Sequence, residues 1–310
     1  MSIITNKLSI IINNAGSRCN LDKWHNYTLY GINVKINQKI PGIISYIGNS
    51  IHYTITVNFS SINNDNISIK MDKDIYTIQL YKYAIIKINN SNKTIEWNSP
   101  DYIHFISTFF NIPFSVLSLL NNQCLLHTSV LINNNELYAF CAKQGVGKST
   151  LCYLLNDNEY KYFSDDTLNI DTTYNGIKGS EIIKLTNDSI KLRNKSNSIL
   201  YENINNKKCV LLNEKFDGIY PIKYLFIMER INSNLKINEV SNSNEKRLLL
   251  YDHIVGVNYF NSELFRLAMR FIETSRVGNI KMYKLFVPDN YLDLSANIQK
   301  LRKIIIDLKE

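Results

Sequence analysis

The stretch Leu137-Tyr138-Ala139-Phe140-Cys141-Ala142-Lys143-Gln144-Gly145-Val146-Gly147-Lys148-Ser149-Thr150 decides how this chain is read. It joins an apolar run, a glycine turn and the start of a run, Leu151-Cys152-Tyr153-Leu154-Leu155, that continues as a helix. Strand, glycine loop and helix in that order make a phosphate-binding loop. Gly145 and Gly147 reach backbone angles closed to other residues, which turns successive N–H groups toward phosphate oxygens. The helix start adds partial positive charge. Lys148 supplies an ammonium for the outer phosphates, and Ser149 a hydroxyl for Mg²⁺. Val146 and Thr150 complete the candidate nucleotide-binding set, and Lys148 is expected to point into a solvent-filled site. The loop departs from the usual pattern at its first position, where Ala142 stands in place of glycine.

Working outward, the next chemistry lies downstream. Tyr160-Lys161-Tyr162-Phe163-Ser164 reads as a strand and runs into Asp165-Asp166. A P-loop protein places its metal ligand, and often its base, where such a strand ends. One carboxylate can hold Mg²⁺ while the other takes a proton from an attacking hydroxyl. Upstream, Leu125-Leu126-His127-Thr128-Ser129-Val130-Leu131-Ile132 reads as a strand carrying His127. Lys184, Lys207, Lys208 and Arg230 are further cations that can surround a moving phosphoryl group. Of these, Lys184 lies on the short strand Ile183-Lys184-Leu185, and Arg230 ends the strand Tyr224–Glu229.

The chain has 310 residues, 45% of them hydrophobic and 20% charged, enough for a substantial core in one large domain or two ordinary ones. The net charge of +8 is spread out and forms no dense basic block. No nucleic-acid partner is therefore expected. The five cysteines, Cys19, Cys124, Cys141, Cys152 and Cys209, match no zinc spacing and read as buried free thiols in a reducing cytosol. Met1 to Cys19 shows no signal peptide, and no apolar run is long enough for a membrane helix. A cytoplasmic protein with no membrane partner is expected.

The chain divides near residue 120. From about Leu29 to Trp97, short alternating runs such as Tyr53–Phe59, Ile75–Leu80 and Tyr83–Ile88 are broken by Asn-, Asp- and Ser-rich turns. They read as a mostly antiparallel β-domain. Tyr102 to Leu120 has helical spacing, with Pro113 near the start of its second part, and reads as a bridging helix or helix pair. The tail from Tyr291 to Glu310 repeats apolar residues, Leu292, Leu294, Ile298, Leu301, Ile304, Ile305 and Leu308, as one face of a packed helix. The fold class is thus α/β (α+β): residues 1–120 are a β-rich N-terminal domain with a bridging helix, and 121–310 an ATP-binding catalytic domain.

His127, the loop from Ala142 to Thr150 and Ser164-Asp165-Asp166 together resemble the kinase core of the HPr kinase/phosphorylase superfamily. The intervals from His127 to Lys148 and from Lys148 to Asp165 are similar to that family's. The layout more closely resembles the shorter HPr-kinase-like proteins of ribosomal peptide gene clusters, some of which phosphorylate a serine near the C-terminus of a lasso-peptide precursor. The resemblance is strongest over residues 122–190 and weak before 100. It implies the mixed-sheet P-loop fold shared with ATP-dependent phosphoenolpyruvate carboxykinases. It implies ATP and Mg²⁺, with Asp165 as base toward an acceptor serine, Asp166 at the metal, and His127 beside the active site. The region Tyr174 to Leu185 lacks the family's Glu-x-Arg-Gly signature, so HPr itself and the phosphorylase reaction are not implied.

The expected activity is transfer of the γ-phosphoryl of ATP to a serine of a peptide or small protein. A small-molecule kinase, a nucleotidyltransferase and a non-catalytic nucleotide-binding regulator are the alternatives. The N-terminal domain, or its seam with residues 121–310, is expected to hold the peptide by strand addition at a sheet edge. Homo-oligomerisation is left open.

Overall fold

The computed structural model describes residues 24–43, 45, 47–48, 50–157, 159–191, 199–211, 216, 218–231, 235–275, 277–288 and 291–308, with the backbone alone over 291–296. Cys19, the segment read for a signal peptide, and the side chains of Leu292 and Leu294 lie outside the described residues.

The alternating runs of the N-terminal part form seven strands: β1 (His25–Leu29), β2 (Ile32–Ile36), β3 (Tyr53–Phe59), β4 (Ile67–Asp72), β5 (Ile75–Leu80), β6 (Ala84–Asn89) and β7 (Thr94–Ser99). Every second residue is buried, as Tyr53, Ile55 and Val57 are in β3. They form one sheet in the order β1-β2-β3-β7-β6-β5-β4. The expectation of a mostly antiparallel sheet needs correction, because β2 with β3 and β3 with β7 are parallel. Four reversals of direction separate β3 from β7, so these lateral neighbours run the same way. Side chains alternate with period two in either arrangement, and the pattern could not tell them apart.

The apolar run after β7 is a pair of helices, α1 (Tyr102–Thr108) and α2 (Ile112–Leu120), bent by 46°. Asp101 caps α1 by accepting the His104 N–H at 2.9 Å. Pro113 sits in the first turn of α2, where its missing N–H costs nothing. Among the described residues no single helix is long and apolar enough to cross a membrane. The apolar face of this pair packs inward instead: Phe105 meets Trp97 edge-on, Phe109 lies tilted against the same ring, and Phe109 meets Phe114 edge-on.

The second half supplies β8 (Cys124–Leu126), β9 (Thr128–Asn133), β10 (Glu136–Cys141), α3 (Lys148–Leu155), β11 (Lys161–Ser164), β12 (Leu168–Ile170) and β13 (Asn175–Ile177). There follow β14 (Ile182–Leu185), α4 (Asn187–Lys191), β15 (Ile199–Glu202), β16 (Lys208–Leu211) and β17 (Ile219–Ile231). Last come β18 (Lys236–Glu239), α5 (Ser243–Asp252), α6 (Ser262–Thr274), β19 (Lys281–Pro288) and α7 (Tyr291–Asp307). The protein is thus mixed α and β with mixed sheets.

The organising element is β17. Its first residues pair antiparallel with β13, and the rest lies parallel between β10 and β19. β9 and β11 extend the sheet antiparallel beyond β10, while β12 and β8 continue it beyond β13. A smaller antiparallel sheet, β14-β16-β15, stands beside it. One face of the large sheet packs α3 and α7, with Leu151, Leu155, Leu301 and Ile305 against Phe140, Phe226 and Leu285. The opposite face shares a core with the N-terminal sheet, the helix pair and α6.

Two expected strands are altered. The run Leu125–Ile132 is not continuous but breaks at His127, between β8 and β9. β17 runs on to Ile231, so Arg230 lies within it rather than at its end.

The N-terminal sheet meets the second half through the β1–β2 turn. Tyr30 and Gly31 both take left-handed backbone, with φ of 53° and 75°. The Tyr30 N–H donates to the Lys178 carbonyl at 3.1 Å, and its carbonyl accepts from the Asn169 amide at 3.0 Å.

Candidate active site

The glycine loop is built as its residue types require. β10 is buried from Leu137 on and delivers the chain to Ala142, and the backbone then turns through Gly145 (φ 88°) and Gly147 (φ 107°). Both values lie in the region that only glycine enters without strain. A Cβ at Gly145 would meet nothing within 4 Å, so this backbone faces open space. Helix α3 starts directly at Lys148, and no side chain caps it. The first N–H groups of a helix have no partner within it, so here they stand ready for an anion.

Lys148 is 6% exposed, which corrects the expectation of a solvent-filled surrounding. Its ammonium donates to the Ala142 carbonyl at 3.0 Å and lies 3.2 Å from His127 Nε2. Burial pulls its pKa below the usual lysine value, against the opposing pull of Asp166. The lysine is folded back onto its own loop.

The two acids occupy the turn between β11 and β12, where Asp166 itself takes left-handed backbone (φ 67°). They are held differently. Asp165 is buried and accepts three hydrogen bonds: from Ser129 Oγ at 2.7 Å, Tyr162 OH at 2.9 Å and the Lys184 backbone N–H at 2.8 Å. A carboxylate offers about four lone-pair sites, so one remains. Asp166 is half-buried and accepts from the Lys184 ammonium at 2.8 Å, with His127 Nε2 3.5 Å away. Burial alone would raise the Asp166 pKa, but Lys184 and then His127 outweigh it and hold the carboxyl well below the usual range. Burial also opposes the charge on Lys184, and Asp166 more than restores it, raising that pKa. Asp166 is therefore a firm anion.

His127 reaches both centres because the strand breaks there. Its N–H donates to the His253 carbonyl at 2.8 Å, and the next residue, Thr128, donates to the Asp166 carbonyl at 3.3 Å. One imidazole edge thus faces Lys148 and Asp166 together. His253, at the end of α5, is pushed down to about 4 by burial and by His127, Lys148 and Lys143 nearby.

The other expected residues divide. Ser149 joins the acids indirectly, its hydroxyl 3.5 Å from Ser129. Arg230 reaches the loop, its Nε donating to the Val146 carbonyl at 2.9 Å. Thr150 turns away and bonds Ser189 at 2.7 Å. Lys208 is paired with Glu202. Ser129 and Tyr162, which fix Asp165, were not singled out from the sequence. Both lie within apolar strand runs, where a hydroxyl carries no signal of its partner.

A narrow recess, with about 10 Å³ of free space, lies against the acids, lined by Asp165, Asp166 and Lys184 on one side and by Tyr30, Phe110 and Tyr201 on the other. None of the loop residues from Ala142 to Thr150 borders it. The acid pair therefore separates the phosphate loop from a second recess. No protein-family model and no curated protein matches the chain.

Proposed function

We propose that this chain is an ATP-dependent serine kinase with a P-loop catalytic domain of the HPr kinase and phosphoenolpyruvate carboxykinase type, acting on a peptide. The observation that carries this reading is one constellation. Lys148 of the phosphate loop, His127, the Asp165–Asp166 pair and Lys184 are linked in a continuous series of contacts of 3.5 Å or less. The parallel and antiparallel neighbours of β10 support the mixed-sheet fold.

The residues fit Mg·ATP. The uncapped start of α3, the open face of Gly145 and the buried Lys148 ammonium make a phosphate cradle. Mg²⁺ takes oxygen ligands, keeps several waters and asks for one or two protein groups, which Ser149 and the anionic Asp166 supply. When bound, the ion neutralises phosphate charge.

Lys148 leaves the Ala142 carbonyl for the outer phosphates, and the loop N–H groups hold the transferred group in place. Asp165 orients the acceptor hydroxyl through its remaining lone pair and takes its proton. The serine Oγ forms a bond to the γ-phosphorus as the bond to the β–γ bridging oxygen breaks, and ADP leaves with that electron pair. Arg230 holds the loop at Val146. A serine near the end of a ribosomal, lasso-type precursor is the acceptor the resemblance suggests. Four buried free thiols suit a reducing, cytoplasmic setting.

The test is mass spectrometry of serine peptides incubated with the protein and Mg·ATP. The expected result is the gain of one phosphate at one serine. Gain of a whole nucleotide would mean nucleotidyl transfer, and ATP bound without any modified peptide would mean a regulator.

A further inference from the structure

The glycine loop ends in a side chain that turns away from it. Thr150 lies in the first turn of α3, directly after Ser149, and is buried. Its Oγ1 is 2.7 Å from Ser189 Oγ in α4, and Ser189 is buried in turn. The Ser189 hydroxyl lies 2.8 Å from Thr186 Oγ1, which also accepts the Ser189 N–H at 3.2 Å. Thr186 is exposed and follows Leu185, the last residue of β14. Three hydroxyls thus run from the start of α3 to the end of β14.

Their protons fix the direction of this chain. Each hydroxyl gives one proton and accepts at two lone pairs. Run from Thr150 to Ser189 to Thr186, every proton finds an acceptor, because the exposed Thr186 passes its own to solvent. Run the other way, the buried Thr150 proton has no acceptor among the described residues, and a buried donor left unpaired is costly. Thr150 therefore donates to Ser189, and Ser189 to Thr186.

The elements joined in this way carry the two halves of the site. Helix α3 begins at Lys148, and β14 holds both acids through Lys184, two positions before Thr186. Apolar packing already keeps them together, since Leu151 of α3 shares a core with Ile183 and Leu185 of β14, and Ile190 of α4 packs against it. Such packing is non-directional. A hydrogen bond adds little net stability but has a set length and angle, so the hydroxyl chain contributes register where the core contributes cohesion.

We propose that Ser189 is a positioning residue for phosphoryl transfer. Through Thr150 on one side and Thr186 on the other, it sets the start of α3, and with it the bound phosphates, against the acids that β14 holds. The inference rests on the kinase reading above. Ser189 is buried behind Thr150, so it governs the rate of transfer and leaves the binding of nucleotide and peptide alone.

The test uses the full chain and measures transfer to a serine peptide beside calorimetric affinity for Mg·ATP. Ser189→Ala breaks the chain at its centre. It should lower kcat at least about tenfold, with the peptide KM and the Mg·ATP affinity within about threefold of wild type, because a shift of about 1 Å between reacting groups costs up to about a hundredfold. Thr186→Val breaks the chain from an exposed position and should also lower kcat. Thr186→Ser keeps the hydroxyl and should retain the wild-type kcat. A folded Ser189→Ala with wild-type kcat, or one whose Mg·ATP affinity falls as far as its rate, overturns the positioning role and leaves the kinase reading standing. Should Ser189→Ala not fold, the Thr186 pair decides, and equal kcat in its valine and serine forms overturns the role. A wild-type protein that binds Mg·ATP but modifies no serine peptide overturns both.

Discussion

The ammonium of Lys184 lies 2.8 Å from Asp166, while its backbone N–H, at the same distance, holds Asp165. One strand residue therefore fixes both acids by two different groups. Lys184→Met keeps the strand and the bond to Asp165 but strips Asp166 of its counter-charge. The expected outcome is a folded protein whose phosphoryl transfer falls by about a hundredfold or more, the scale seen when one preorganised charge is removed. Steady-state transfer rates beside a thermal melt check this, and near-normal transfer would remove Lys184 from the site.

Lys148→Met keeps the buried aliphatic stem and removes the charge. Burial already disfavours that charge, so the melting temperature should hold or rise. Transfer should drop by at least about a hundredfold, because the cation for the outer phosphates is gone. Wild-type activity in this variant would end the phosphate-loop assignment.

The two acids should separate under amide substitution. Asp165→Asn puts an NH₂ among three donors and leaves at least one of them unpaired in a buried setting. That should cost about 1–3 kcal/mol of stability as well as transfer. Asp166→Asn leaves the buried Lys184 ammonium without its counter-charge and should also lower the melt, but unlike Asp165→Asn it should weaken the dependence on Mg²⁺. Denaturant titration and a Mg²⁺ titration of transfer test both. Equal Mg²⁺ effects in the two variants would mean shared or exchanged roles.

The parts of this site that were legible in the sequence are those where a residue type is obligatory. Gly147 before Lys148 marks a backbone that no other residue adopts cheaply, and Asp165-Asp166 after an aromatic strand stands out because adjacent acids are costly to bury. The bend between α1 and α2 could be read from Pro113. The parallel pairing of β3 with β2 and β7 was hidden, since alternation is blind to strand direction. The break at His127 was hidden too, because β8 and β9 are both apolar and neither glycine nor proline separates them. Ser129, Tyr162 and Tyr30 act through partners 36, 3 and 137 positions away. Only the fold brings the two distant ones together.

His253 offers a pH signature. Its folded pKa is pushed down to about 4 from the ordinary 6.5, first by burial and then by His127, Lys148 and Lys143. Between these values the unfolded chain holds a proton that the folded protein refuses. Stability therefore rises with pH through this window and is complete above 6.5. The loss on acidification from this one group is about 3 kcal/mol. His253→Gln should flatten the melting temperature against pH between 4 and 6.5, relative to wild type. Parallel curves for the two proteins would show that His253 is not buried as a neutral ring.

The contact between Tyr30 and Gly179 predicts a coupled pair. A methyl at residue 179 would run into the Tyr30 ring at 2.0–2.7 Å, and that ring is pinned between Thr167 and Phe114. Gly179→Ala alone should destabilise the protein by about 1–3 kcal/mol, as overpacking of a filled site does. Tyr30→Ala alone should cost more, about 3–5 kcal/mol by analogy with buried aromatic truncations, because it empties the seam. In the double variant the new methyl no longer meets a ring, so the combined loss should fall short of the sum by at least about 1 kcal/mol. Chemical denaturation of the four proteins closes the cycle. Strict additivity would mean that the β1–β2 turn does not seat its tyrosine on Gly179, and the N-terminal sheet would then have to be joined to the acid pair by some other contact.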